Sequence, residues 1–119
     1  MYSAQVLDHF QNPRNAGEIS HADAIAEIEN PACGDVLRLT LHLENGRIAR
    51  AKFKAKGCVA AIACGSAITE LMAQKTPKEA RELSRDQVIA FLGGLPQGST
   101  HAAQLAIDAL GAALRSIET

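Results

Sequence analysis

Four residues in this 119-residue chain have types and neighbours suited to metal chemistry: Cys33, Asp35, Cys58 and His101. They fall at three junctions: Pro31-Ala32-Cys33-Gly34-Asp35, Gly57-Cys58 and Ser99-Thr100-His101. If the chain is extended from Cys33 to Asp35, the period of two sends the thiol and the carboxylate to one side, and Gly34 leaves room for close approach. Two thiolates, an imidazole and a carboxylate make an S, S, N, O set that suits zinc or iron in a tetrahedral site. Taken singly, each residue also has a plainer use: a cysteine as a small buried hydrophobe, an aspartate as a turn former, a histidine as a surface residue near a helix start. The spacing is not a paired C-x-x-C zinc signature. A zinc hydrolase would need an open water position and a general base, and Asp35 is the one acid at hand for it.

The elements that must carry these residues follow from periodicity. Tyr2, Val6 and Phe10 recur at helical spacing after a possible Ser3 cap, which predicts a short amphipathic helix ending before Pro13. Ala24, Ala26 and Ile28 alternate, and Leu37, Leu39, Leu41 and Leu43 do so more strictly, as strands with one buried face would. Asn45-Gly46 marks a tight hairpin into a third strand through Ile48, Ala49, Ala51, Phe53 and Ala55. Its opposite face carries Arg50, Lys52, Lys54 and Lys56, expected to be solvated. After Gly57 the residues 60–73 favour helix, Thr76-Pro77-Lys78-Glu79 supplies a capping-box start, and Ser84 caps a helix to Leu92. Beyond the 93–98 break, Ser99 or Thr100 caps a last helix with Ala103, Ala106, Ile107, Leu110 and Leu114 on its apolar side. Strands first and helices second predict an α+β fold, a small antiparallel three-stranded sheet with helices packed on one face.

Composition narrows the function classes. The length suits one domain, 1–119, and with three Phe, one Tyr and no Trp the core must be built from aliphatic residues. Twelve basic against thirteen acidic residues leave no field to steer the chain to nucleic acid or an anionic membrane. Residues 1–14 lack the apolar stretch of a secretory signal, and no run is long enough to span a bilayer. Three cysteines without an export signal point to reduced thiols in the cytoplasm. Cys64 lies six residues beyond Cys58, which on a helix is about 9 Å along and roughly 120° around, so a buried hydrophobe is expected there and not a further ligand.

Nearly the whole chain resembles the IscU/NifU N-terminal family of iron–sulfur cluster assembly scaffolds. The likeness runs through Asp8-His9-Phe10, Asn12-Pro13-Arg14-Asn15-Ala16-Gly17, Asn30-Pro31-Ala32-Cys33-Gly34-Asp35, Phe53-Lys54-Ala55-Lys56-Gly57-Cys58 and the last helix from Leu95-Pro96 through His101. The resemblance implies a scaffold and not an enzyme. Such a scaffold takes sulfur from a cysteine desulfurase, gathers iron, builds a transient [2Fe–2S] cluster and passes it to apo acceptor proteins, with zinc in the resting protein. By position it implies Cys33, Asp35, Cys58 and His101 as the cofactor and metal site, with Asp35 as the residue that keeps the cluster labile. A homo-oligomer is compatible with it. This member departs from the pattern: His101 is followed by Ala102 where the family has a third cysteine, and Leu95-Pro96-Gln97-Gly98-Ser99 replaces the segment read by a dedicated chaperone. The chain also lacks the insertion before the last helix found in the zinc-dependent sulfur-transfer branch. The missing cysteine leaves a rival reading, a non-assembling zinc-binding interaction protein that regulates a desulfurase or a sibling scaffold.

Overall fold

The computed structural model describes residues 1–31 and 33–117. Helix α1 (Ala4–Gln11) leads to strands β1 (Ala24–Asn30), β2 (Asp35–Glu44) and β3 (Arg47–Lys56). Helices α2 (Val59–Met72), α3 (Pro77–Ala80), α4 (Arg85–Phe91) and α5 (Thr100–Ile117) follow, the last entered through a 3-10 turn, Gln97–Ser99. The strands form one antiparallel sheet in the order β1-β2-β3, the α+β architecture expected.

Local chemistry accounts for the element ends. The Ser3 hydroxyl accepts the Val6 N–H at the start of α1 and donates to the Leu92 carbonyl beyond α4, so one side chain caps one helix and ties it to another. Asn45 and Gly46 both have positive φ, as the two-residue loop closing the Glu44–Arg47 pair requires. Capping boxes start α3 at Thr76 and α4 at Ser84. The start of α5 differs from expectation. Neither Ser99 nor Thr100 caps it, because the 3-10 turn runs straight into the helix and the Thr100 hydroxyl donates back to the Gln97 carbonyl.

The core lies between the sheet and the helices. Leu37, Leu39 and Leu41 are buried from β2, together with Ile48, Ala51 and Phe53 from β3. Ile48 and Ala51 can share a face because the register shifts opposite His42 and Leu43, where β3 bulges at Ala49. Helices α2 and α5 pack on this face, while α1 packs on α2 and α4 packs on both α2 and α5. Gly65 permits close approach of α2 to β3, since a Cβ there would stand 2.6 Å from the Phe53 ring. The opposite sheet face is only partly solvated. Arg50, Lys54 and Lys56 are exposed as expected, but Lys52 is half-buried. The chain crosses that face at residue 19, where the buried Ile19 donates its N–H to the Thr40 hydroxyl.

Candidate metal centre

All three chemistry-bearing junctions meet at one end of the sheet. The β1–β2 hairpin closes on the Asn30–Asp35 pair and carries Cys33, β3 runs out through Gly57 into α2, and α5 begins beside them. The extended path expected from Cys33 to Asp35 is not what the chain does. Cys33 and Gly34 form a turn in which both N–H groups bond the Asn30 carbonyl, at 3.3 and 2.7 Å, with Gly34 at φ +75°. A four-residue connection between paired strands must reverse the chain, so alternation does not apply. Gly34 is needed for that left-handed conformation and not for space, because a Cβ there would meet nothing within 4 Å.

Gly57 supplies the space instead. A Cβ on this residue, at φ +144°, would lie 2.0 Å from Asp35 Oδ1. The missing side chain lets the Asp35 carboxylate sit at the start of α2, where Oδ1 accepts the Cys58 N–H at 3.2 Å and Oδ2 accepts the Cys58 thiol at 3.4 Å. His101, in the first turn of α5, brings Nε2 to 3.6 Å from Oδ2. Donor atoms of Cys33, Asp35 and His101 all lie within 4.8 Å of one another. The structure thus gathers three of the residues singled out in the sequence, Cys33, Asp35 and His101, within mutual reach, while Cys58 stands outside that trio and joins it through its contacts with Asp35.

Exposure and protonation differ across the set. Asp35 is buried, His101 and Cys58 are half-buried, and Cys33 is exposed. Burial by itself would raise the Asp35 pKa. Hydrogen bonds from the Cys33 and Cys58 thiols and the Cys58 N–H, with the nearby His101, outweigh that penalty and hold the carboxyl below its ordinary value. Burial pushes the Cys58 thiol up, opposed by N–H groups of Ala61 and Ala60 at the helix start and reinforced by the Asp35 carboxylate. An incoming cation would reverse that reinforcement, since the carboxylate and a thiolate could then share its charge.

Two neighbouring positions are not part of this set. Cys64 is fully buried, with its pKa pushed up to about 12 chiefly by burial, as its helical direction implied. Ala102 follows His101 yet is only 1% exposed and packs into the core, so a thiol placed there would begin desolvated. The role of Gly57 was not separated from that of Gly34 in the sequence. The available signal was its place beside Cys58, at a strand end that must turn sharply into a helix.

The family model described as the NifU-like N terminal domain matches residues 1–119. The chain belongs to that family. This NifU-like chain is 46% identical over 114 residues to the iron–sulfur cluster assembly scaffold protein IscU 1 of Archaeoglobus fulgidus, covering 96% of this chain and 74% of the relative. Against the scaffold protein IscU of Azotobacter vinelandii it is 42% identical over 118 residues, 96% of this chain and 91% of the relative. The fold matches the N-terminal NifU-like protein of Brucella abortus with a TM-score of 0.76 at 20% identity, covering 98% of this chain and 93% of that one. A candidate SUF-system scaffold from Fervidobacterium islandicum gives 0.80 at 23% identity, covering 95% and 96%. Among the described residues of this NifU-like chain, no helix is long and apolar enough to cross a membrane.

Proposed function

We propose that this chain is an iron–sulfur cluster assembly scaffold or carrier. Cys33, Asp35, Cys58 and His101 hold iron or a labile [2Fe–2S] cluster as cargo and hold zinc at rest. One observation carries the reading: donor atoms of Cys33, Asp35 and His101 within 4.8 Å of one another, with the Cys58 thiol 3.4 Å from the same carboxylate. The donor types fit a four-coordinate zinc or iron site, and the IscU relatives give the role its name.

Sulfur arrives from a cysteine desulfurase as a persulfide, in the cytoplasm. A site thiolate attacks the outer sulfur, the donor's S–S bond breaks, and the donor cysteine leaves as a thiolate. Reducing that sulfur to cluster sulfide takes two further electrons from a reductant. Asp35 is the weak link of the finished site: a carboxylate is a harder and weaker partner for iron than a thiolate, so it favours handing the cluster to an apo acceptor. Residues 1–119 act as one such domain.

Ala102 favours a second reading, a zinc-binding interaction protein that regulates a desulfurase or sibling scaffold without building clusters, since two site thiolates hold iron less well than three. Anaerobic reconstitution with iron, a desulfurase and cysteine separates the two. A [2Fe–2S] absorption band is the outcome expected of a scaffold. Zinc binding with no cluster in the natural chain, and a cluster only in the Ala102→Cys variant, would establish the regulator.

A further inference from the structure

The outer edge of β3 is only partly covered by the protein's own chain. Phe53 turns its peptide groups away from β2: its N–H donates to the Asn15 carbonyl at 3.0 Å and its carbonyl accepts the Gly17 N–H at 2.8 Å. Ala16 and Phe53 therefore form a parallel bridge. Ala55 lies two residues on, and the register with β2 is unbroken from the Leu39–Phe53 pair to the Leu37–Ala55 pair. By the alternation of an antiparallel ladder, the Ala55 N–H and carbonyl point out of the same edge. The covering segment does not follow them. After Gly17 it passes beneath the sheet, where Ile19 bonds Thr40, and no described residue pairs with the outward peptide groups of Ala55.

A mostly apolar groove of about 550 Å³ lies beside this edge, lined by Pro13, Ala16, Phe53, Lys54, Ala55 and Ile62. Lys54 and Lys56 flank Ala55 and are exposed. Lys54 has Glu18 at 3.7 Å, but Glu18 is already bonded to Arg38 at 3.0 Å, and no acid pairs with Lys56 among the described residues. Two of its lining residues adjoin Cys58 along the chain. The Ile62 N–H bonds the Cys58 carbonyl, and Cys58 is three residues past Ala55, at most about 10 Å along the chain.

We propose that the Ala55 edge and this groove bind an extended segment of the sulfur-donating desulfurase, apolar with flanking acidic residues, as a short added strand that delivers its next residues to the Cys58 end of the site. The inference rests on the scaffold reading. Main-chain pairing supplies register, the groove selects an apolar side chain, and the free lysine charge selects acidic flanks. Lysines on a bare edge also repel unsuitable strands, so the same residues discriminate against other chains.

The test is affinity of the full chain for the purified cysteine desulfurase of the same organism, by calorimetry at fixed salt. Ala55→Pro removes the outward N–H and leaves the β2 ladder intact, and Lys54→Glu with Lys56→Glu reverses the flanking charge. Each change is expected to weaken binding tenfold or more with cobalt binding at the metal site retained, and the Ala55 amide should exchange more slowly with deuterium in the complex. If Ala55→Pro fails to fold, the charge variant and the amide exchange decide. Binding within twofold of the natural chain by the folded variants, or an Ala55 amide that gains no protection, overturns the proposal. A natural chain that binds no desulfurase overturns it as well. Cluster formation from iron and chemically supplied sulfide would in that case leave the metal-site reading standing.

Discussion

Two polar clusters sit against the same aliphatic core and end differently. At the far side of α2, the buried His9 ring on α1 meets the Ser66 hydroxyl at 2.7 Å through Nδ1, and that hydroxyl also accepts the Arg14 N–H at 2.8 Å. The Thr69 hydroxyl donates to the Ser66 carbonyl and accepts from the Asn15 side chain, which pins the 12–17 segment. Every one of these groups has a partner inside the protein. At the candidate metal centre, the Asp35 carboxylate has thiol and imidazole donors beside it, with Cys33 exposed and His101 38% exposed at its side chain. The first cluster is closed and fastens α1 to the body. The second retains thiol, imidazole and carboxylate lone pairs that a cation can claim.

Glycine substitutions break this comparison most sharply. Gly57→Ala is expected to cost roughly 1–3 kcal/mol from backbone strain and also to displace the Asp35 carboxylate, so stability and metal binding should fall together. Gly65→Ala meets the Phe53 ring and should cost a similar roughly 1–3 kcal/mol of overpacking with the metal stoichiometry unchanged. Chemical denaturation beside metal analysis reads both.

The closed cluster should respond in the opposite sense. Ser66→Ala strands the His9 nitrogen and the Arg14 N–H, for an expected loss of about 1–3 kcal/mol and no loss of metal. Burial, the largest cause, and then Arg14 lower the His9 pKa. Its neutral form therefore stabilises the fold fully above the unfolded value of about 6.5, and that contribution is lost as pH falls toward the folded value. Denaturation midpoints should drop on acidification below about pH 6.5, and the drop should shrink in His9→Gln.

These regions were unequally legible in the sequence. Leu37, Leu39 and Leu41 announced a one-sided strand, Asn45-Gly46 a hairpin, and Thr76 and Ser84 their helix starts, because each signal is local. The convergence of Cys33, Cys58 and His101 is not local; the family resemblance gave those residues as a set, and pattern alone left each with a plainer use. The assignment of close approach to Gly34 instead of Gly57 came from assuming an extended chain where a four-residue turn reverses it. The His9–Ser66 contact spans 57 positions and leaves no trace in periodicity. Lys52, expected on a solvated face, is half-buried, and a loop crossing beneath a sheet has no sequence signature that would reveal this.

Smaller effects sharpen the contrast within the site. Native-state alkylation near pH 8 should label Cys33 first, Cys58 slowly and Cys64 only on unfolding, since Cys58 is half-buried with a raised pKa and Cys64 is buried with its pKa pushed up to about 12. Mass mapping of the modified peptides gives the order. Replacement of Asp35 by Ala should slow cluster transfer to an apo-ferredoxin if the carboxylate is the labile partner. Faster loss would make Asp35 an ordinary stabilising ligand.

The central claim is that Cys33, Asp35, Cys58 and His101 are one metal site, and a cobalt(II) titration tests it most directly. The natural chain should bind about one ion in a tetrahedral field, with thiolate-to-cobalt charge-transfer bands whose intensity roughly halves in Cys33→Ser and in Cys58→Ser and is unchanged in Cys64→Ser. Ligand-field bands should shift in His101→Ala and Asp35→Ala, and affinity should fall as pH drops and the thiols take up protons. Spectra indifferent to Cys33 and Cys58, or lost with Cys64, would contradict the account.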